Sequence, residues 1–357
     1  MRILFCVNWI VDQKCTPEEA YFRFRPDYKL PGHPYWFFKH LREKVEVDIL
    51  DRQAPLGFDR IERKLVHFYP SKGIHAWIRS RRYDLVLSHG GQIGLVIALL
   101  QSLFPSKSQP PHVMIDVGGM SGSSWLWNNK VFIASCRFAA RSLAANICHN
   151  SNQIDIYRNN YPGLAKKTHF IPLGVDTDEF KPRNCSVENK IICVGYSRMD
   201  IELLISAYAK LKTETRLVLL GVPEGYTSDV SGVECLPQVG IEEMRTLIAK
   251  SRLVVLPLPN VDYCIGQQRL LQSMALGKTV LTSNIAAVRD YVEDGETATL
   301  YEADNVDSLS LKLKELLASY CETEQIGANA RIAVESRYSE LIMARRIFDL
   351  LNQVITG

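Results

Sequence analysis

The sequence predicts an α/β protein built from two doubly wound, Rossmann-like domains that face one another across a cleft. Three observations lead there: a length of 357 residues, short β-branched runs alternating with longer amphipathic stretches, and a break in composition near the middle. At about 150 residues per domain, this length favours two cores. Apolar residues make up 46% and charged residues 23% of the chain, the balance of a globular protein, so disordered, collagen-like and fibrous classes are excluded. In chain order, apolar runs predict strands at 2–7, 45–50, 84–88, 112–117, 146–149 and 168–171. The pattern then repeats at 190–195, 216–221, 233–236, 252–257, 279–282 and 299–301. Apolar residues at helical spacing fill the intervals, as at 202–211 and 241–250. Strands that alternate with helices form parallel βαβ units. The two sets part at 174–187, where Asp, Pro, Asn and Ser accumulate. No repeat or low-complexity tract intervenes.

Charge divides along the same line. Residues 1–182 hold 24 Lys and Arg against 16 Asp and Glu, and residues 183–357 hold 18 against 23, so a net +3 splits into +8 and −5. The basic half is expected to meet something anionic. Its excess gathers in Arg52, Arg60, Arg63, Lys64, Lys72, Arg79, Arg81 and Arg82, opposed only by Asp59 and Glu62, with Phe58, Phe68, Tyr69 and Trp77 interleaved. Such a stretch fits peripheral contact with an anionic membrane, or a solvated helix face over an aromatic core. Nucleic acid is not expected, because no recognised module accompanies the charge. The nine cysteines are odd in number, scattered and without a C-x-x-C pair, which fits a reduced, cytosolic protein. The run at 2–7 has no small-residue cleavage site after it and reads as a strand rather than a signal peptide. The longest apolar stretch, 94–100, falls far short of the roughly 18 residues of a membrane span. The expected location is cytoplasmic, peripheral to the inner face of the membrane.

Ligands of open parallel sheets bind beyond the carboxyl ends of the strands, so the chemistry belongs between the domains. The most informative segment is Pro257-Leu-Pro-Asn-Val-Asp-Tyr-Cys-Ile-Gly-Gln-Gln-Arg-Leu-Leu-Gln-Ser-Met-Ala-Leu-Gly-Lys-Thr-Val280. A strand enters a loop, Gly266 lets the backbone approach a ligand, and a helix opens with Gln267, Gln268 and Arg269. Unpaired N–H groups at the positive end of a helix attract a diphosphate. One turn on, Gln272 is placed to meet ribose hydroxyls, while Leu270, Leu271, Met274 and Ala275 turn to the core. The plainer reading of this pattern is a strand-loop-helix unit with no ligand.

Three segments, in order and at matching spacing, resemble the GT-B glycosyltransferases, specifically the large retaining family 4. His169-Phe-Ile-Pro-Leu-Gly-Val-Asp-Thr-Asp-Glu-Phe-Lys-Pro182 is similar to the interdomain phrase IPNGVDxxxFxP. Ile191-Ile-Cys-Val-Gly195 and the helix 202–211 resemble the first strand and helix of the second domain. Gln272-Ser-Met-Ala-Leu-Gly-Lys-Thr-Val280 and Asp290-Tyr-Val-Glu-Asp-Gly-Glu-Thr297 resemble EAMAxGxPV and EIVxDGxTG. The likeness covers about 145–345, and the N-terminal third only in architecture.

The resemblance implies a metal-independent transfer of a hexose, with UDP-glucose as donor, to a glycan or lipid-linked acceptor in bacterial surface or exopolysaccharide assembly. No cofactor beyond the nucleotide sugar is implied, and no metal. Charge developing on the departing diphosphate would be met by fixed donors, each lowering the barrier by roughly 3 kcal/mol. The implied donor site comprises Gly195, Tyr196, Arg198, Gln238, Val239, Cys264, Gly266, Gln267, Gln268 and Gln272, with Val239 offering backbone groups to the base. On the acceptor side it implies His89, within Ser88-His-Gly-Gly91, and Asp116, which stands where the family usually carries a catalytic His. Helix capping by the first and turn capping by the second are the plainer alternatives. Arg198 completes the catalytic set.

Departures accompany the matches. The two family glutamates, eight residues apart, are Cys264 and Gln272 here, so sugar recognition must shift toward Asp262, Gln267 or Gln268. Met199 aligns with the family's Lys, leaving Arg198 as the cation and Arg269 as a substitute. A hydrolase is disfavoured, because all eight histidines precede Ser197 of the elbow-like Gly195-Tyr-Ser-Arg-Met199. A dehydrogenase lacks G-x-G-x-x-G, and Asp176-Thr-Asp178 lies within a domain-junction phrase rather than a metal loop. A catalytically silent sugar-nucleotide-binding or scaffold protein remains the rival from another class. The expected organisation is an acceptor-side domain at 1–172, a donor domain at 173–338 and a last helix at 339–357 that packs back on the first.

Overall fold

The computed structural model describes residues 1–22, 28–53, 58–118, 129–261 and 263–357. Two six-stranded sheets, each parallel throughout, organise them. The first comprises β1 (Arg2–Val7), β2 (Glu46–Leu50), β3 (Leu85–His89), β4 (His112–Asp116), β5 (Leu143–Cys148) and β6 (Thr168–Phe170), in the order β2-β1-β3-β4-β5-β6. The second comprises β7 (Lys190–Val194), β8 (Arg216–Leu220), β9 (Val233–Leu236), β10 (Leu253–Leu256), β11 (Val280–Ser283) and β12 (Thr299–Tyr301), in the order β12-β11-β10-β7-β8-β9. Each strand expected from the sequence is present, with ends shifted by a few residues. The largest shift is in β5, which begins at Leu143 because Leu143 and Ala145 already enter the core.

The inner strands read as largely apolar runs because both of their faces are covered, whereas the edge strands β2, β6 and β9 are partly open. In β1, Ile3, Phe5 and Val7 pack with Phe37 and Phe38 on one face, while Leu4 and Cys6 meet Tyr69, Ala76 and Ile93 on the other. β1 pairs with β2 and β3, and β7 with β8 and β10. The direction of winding reverses at each of these strands, which leaves a crevice beyond its carboxyl end.

The last helix, Glu340–Thr356, packs on the first sheet, where Met343, Ala344, Ile347, Leu350 and Leu351 join the core. Burying each larger side chain contributes roughly 1.5–3 kcal/mol. The chain therefore passes between the sheets twice, and the two passages lie side by side. The Val175 N–H donates to the Tyr338 carbonyl (3.0 Å), and the Glu340 N–H donates to the Val175 carbonyl (2.8 Å). Gly174 permits this approach, since an added Cβ would lie 2.7 Å from Glu340 Cα. Nearby, the Tyr291 hydroxyl accepts from the Leu173 N–H (2.9 Å) and donates to the His149 carbonyl (2.5 Å).

Candidate active site

A cleft of about 510 Å³ opens where the two crevices face each other. The first sheet contributes Asn8 after β1, Gly90, Gly91 and Gln92 after β3, Val117 and Gly118 after β4, and also His67 and Phe68. The second contributes Arg198 after β7 and Tyr263, Cys264, Ile265 and Gly266 after β10. A larger hollow of about 1080 Å³ lies near Asp84, Ser106, Arg141 and Asn352. It sits at the end of the first sheet where strands begin, so the smaller cleft is the place for chemistry.

Gly195 ends β7 with φ 102°, a conformation that side chains disfavour, and leads into the short 3₁₀ turn Tyr196–Arg198. This turn leaves Arg198 exposed at the cleft. Tyr196 is half-buried, its ring edge-on to Tyr226 at 5.2 Å. Gly266, at φ 78°, starts the helix Gln267–Ala275, and an added Cβ there would lie 2.4 Å from Leu258. Among the described residues no side chain caps that helix start, and its N–H groups and positive end suit an anion. Leu270, Leu271, Met274 and Ala275 are fully buried and fix its direction.

Several neighbours depart from expectation. Gln267 is buried and donates its amide to the Ala287 carbonyl (3.0 Å), which ties this side chain to the fold. Gln268, one position on, is exposed. Gln272 is buried, with its Oε1 accepting from Arg269 Nη1 at 2.6 Å; a guanidinium occupies the oxygen expected to meet ribose. Arg269 also reaches the Met244 sulfur (3.3 Å) and passes close to Gly195, which brings a second cation beside the β7 turn. Cys264 does line the cleft, but its thiol donates to Gln153 Oε1 across it (3.1 Å). Burial, reinforced by the negative charge of Asp116, pushes this thiol well above its ordinary range and keeps it protonated. Asp262 lies outside the described residues. Gln238 is exposed and Val239 half-buried against the second core, both in the loop between β9 and the helix Ile241–Ala249.

On the first sheet, Asp116 is wholly buried at the end of β4. Tyr157 donates its hydroxyl to Asp116 Oδ2 (2.5 Å), and Gln153 donates to the Asp116 carbonyl (3.5 Å). The carboxylate expected on the acceptor side is thus engaged within the protein. Val117 and Gly118 face the cleft, while the carboxylate holds the Tyr157–Gln153–Cys264 chain from beneath. His89 is buried against Trp9 (4.9 Å), Trp36 (5.4 Å) and His149 (6.4 Å). Burial, with a smaller contribution from His149, lowers its pKa to about 3, so it is a neutral imidazole at working pH. It lies behind Gly90 rather than on the cleft surface.

Sequence reasoning missed Asn8 and Gln153. Asn8 Oδ1 accepts from the Ile93 N–H (3.2 Å), and its amide donates to Gln92, so Asn8 caps the helix Gly91–Leu103. The partners are 85 residues apart, and no local signal joins them. Asp12, Cys15 and Glu19 bring possible metal-ligand atoms within 4.8 Å of one another, away from the cleft. Glu19 there accepts from the Thr16 N–H and Thr16 Oγ1 accepts from the Glu19 N–H, which is a capping box.

Residues 188–319 match a family model described as Glycosyl transferases group 1. Over 217 residues the chain is 30% identical to the MMP α-(1→4)-mannosyltransferase of Mycolicibacterium hassiacum, covering 56% of this chain and 52% of that protein. The chain thus spans about half the length of this curated relative. Sucrose-phosphate synthase from Thermosynechococcus elongatus superposes over 100% of both chains with a TM-score of 0.75 at 15% identity. Anabaena HepE in complex with UDP and glucose matches over 99% of this chain and 100% of its own, with a TM-score of 0.68 at 17% identity. The fold is GT-B. Within the GT-B frame, the group 1 match spans Gly195, Arg198, Cys264, Gly266 and Gln272, and the Asn8-capped turn lies in the facing domain.

Proposed function

We propose that the chain is a nucleotide-sugar-dependent glycosyltransferase that moves a hexose, with UDP-glucose as donor, to a glycan or lipid-linked acceptor, with retention and without a metal ion. One observation carries this reading. Arg198 and the uncapped helix start at Gly266 meet in one cleft, at the switch point of the second sheet, opposite Gly90 to Gln92 of the first. A cation and backbone donors fixed there would stabilise the charge that develops on a departing diphosphate. The hexose and the base are supported by the names of a mannosyltransferase relative and of a structural neighbour bound to UDP and glucose. Front-face attack assisted by the leaving phosphate requires no enzymic nucleophile, which agrees with a buried Asp116 and a neutral His89.

The test is a thermal shift. UDP without added metal should raise Tm by mass action, and UDP-glucose should be hydrolysed slowly in the absence of acceptor. No shift with UDP, GDP or ADP would remove the donor site. The second reading, a catalytically silent sugar-nucleotide binder, is favoured by Cys264 bonded to Gln153 and by Gln272 bonded to Arg269. A clear UDP shift with no donor hydrolysis would select it.

A further inference from the structure

The helix Phe58–Val66 is amphipathic but mounted the wrong way round for a helix on the surface of a water-exposed domain. Its acidic residues face the protein. Asp59 is buried beside Arg52 (3.7 Å), and Glu62 accepts from the Ser71 N–H and hydroxyl (both 2.9 Å). Its apolar residues face outward, with Phe58, Ile61 and Leu65 exposed by 55%, 50% and 74%. Spacings of three and four residues align these three side chains in one stripe. Arg60, Arg63 and Lys64 are exposed on the same helix, and none forms an ion pair among the described residues. The next helix, Pro70–Ser80, again exposes apolar residues one turn apart, Ile74 and Ile78.

We propose that this helix docks the protein on an anionic lipid bilayer, with the Phe58–Ile61–Leu65 stripe entering the interface and the cations meeting the headgroups. An outward apolar stripe flanked by Lys and Arg, with the acidic side turned away, is the charge and polarity pattern that such an interface takes. A polynucleotide would match the cations but leave the stripe in water. The helix ends at His67, whose φ of 61° turns the chain, and His67 and Phe68 line the cleft opposite Arg198. Docking therefore places the mouth of the cleft at the bilayer surface, which narrows the acceptor to a lipid-linked one. That last step rests on the transferase reading, whereas the docking does not.

The experiment is co-sedimentation of the full chain with vesicles of phosphatidylcholine alone and of phosphatidylcholine mixed with phosphatidylglycerol, over a range of salt. The chain should pellet with the anionic vesicles at low salt and be released as salt rises. Arg63→Gln combined with Lys64→Gln should weaken partitioning about 25-fold, at about fivefold per cation. Ile61→Gln combined with Leu65→Gln should abolish it. These side chains are exposed, so circular dichroism and the UDP thermal shift should match those of the parent. The proposal is overturned if the parent stays in solution at low salt, or if both double variants still pellet. It also falls if the exposed stripe proves to join two copies of the chain, seen as a dimer by sedimentation that Ile61→Gln with Leu65→Gln dissociates, or if single-stranded RNA displaces the vesicles. Vesicle binding without any UDP shift would sink the transferase reading and leave the docking standing.

Discussion

Two strand-loop-helix turns face each other across the cleft, alike in the glycine that precedes the helix and different in how they are finished. Each has a glycine at positive φ before its helix, Gly90 at 96° and Gly266 at 78°. At the first turn Asn8 reaches over from β1 and caps the helix, packed so closely that a Cβ on Gly90 would lie 1.9 Å from its amide nitrogen. At the second no side chain among the described residues caps the helix, and Arg198 stands at the same cleft. The protein satisfies one helix start with a side chain from another strand's end and the other with none among the described residues. A motif read locally does not reveal which is which; a residue distant in sequence decides it.

The widest contrast between the two sides is in their response to acid. Burial lowers both His89 and His112, each in the first domain, from 6.5 to about 3. As pH falls below 6.5 the unfolded chain takes up protons that the native state refuses, so stability is complete above that pH and declines down to about 3. At pH 5 each histidine should cost on the order of 2 kcal/mol. No histidine follows His169, so urea unfolding at pH 7 and pH 5 should show the loss in the first domain. Equal losses in both domains would break the contrast. Arg198→Ala should slow donor hydrolysis about 100-fold, near 3 kcal/mol, and shrink the UDP thermal shift. Asn8→Ala should leave hydrolysis and the UDP shift intact while costing about 1 kcal/mol in urea, as the loss of a helix cap does. If the two variants behaved alike, the turns would not differ in role. The smallest effect is expected between the turns, where Cys264→Ser retains a donor for Gln153 and should change stability by less than about 0.5 kcal/mol. In the parent, iodoacetamide at pH 8 should label the exposed Cys321 well before Cys264, whose raised pKa holds it as a thiol.

The strands were legible because parallel strands covered on both faces are mostly apolar, as β10 is throughout and β1 is from Ile3 to Val7. The glycine turns at Gly195 and Gly266 were legible because few other residues tolerate their φ. The side-chain partners of the site were not. Cys264 bonds Gln153 across 111 residues, and Tyr157 covers Asp116 across 41. Neither pairing leaves a trace in local spacing. The partner of Gln272 is nearer in sequence. Arg269 lies three residues before it on the same helix face, and an amide oxygen there is within easy reach of a guanidinium. The basic stretch showed its charge in the sequence, but not that Asp59 and Glu62 would turn inward and leave Leu65 in the open.

The paired passages at Val175 and Ser339 bear on how the two sides of the cleft are tied. A lone linker would join the domains at one point, whereas here two passages are bonded side by side. Sliding one passage past the other would break the bonds at Val175. The side of the cleft that carries Arg198 and the side that carries Gly90 are thus held from the same pair of hydrogen bonds, a double tether rather than a single thread.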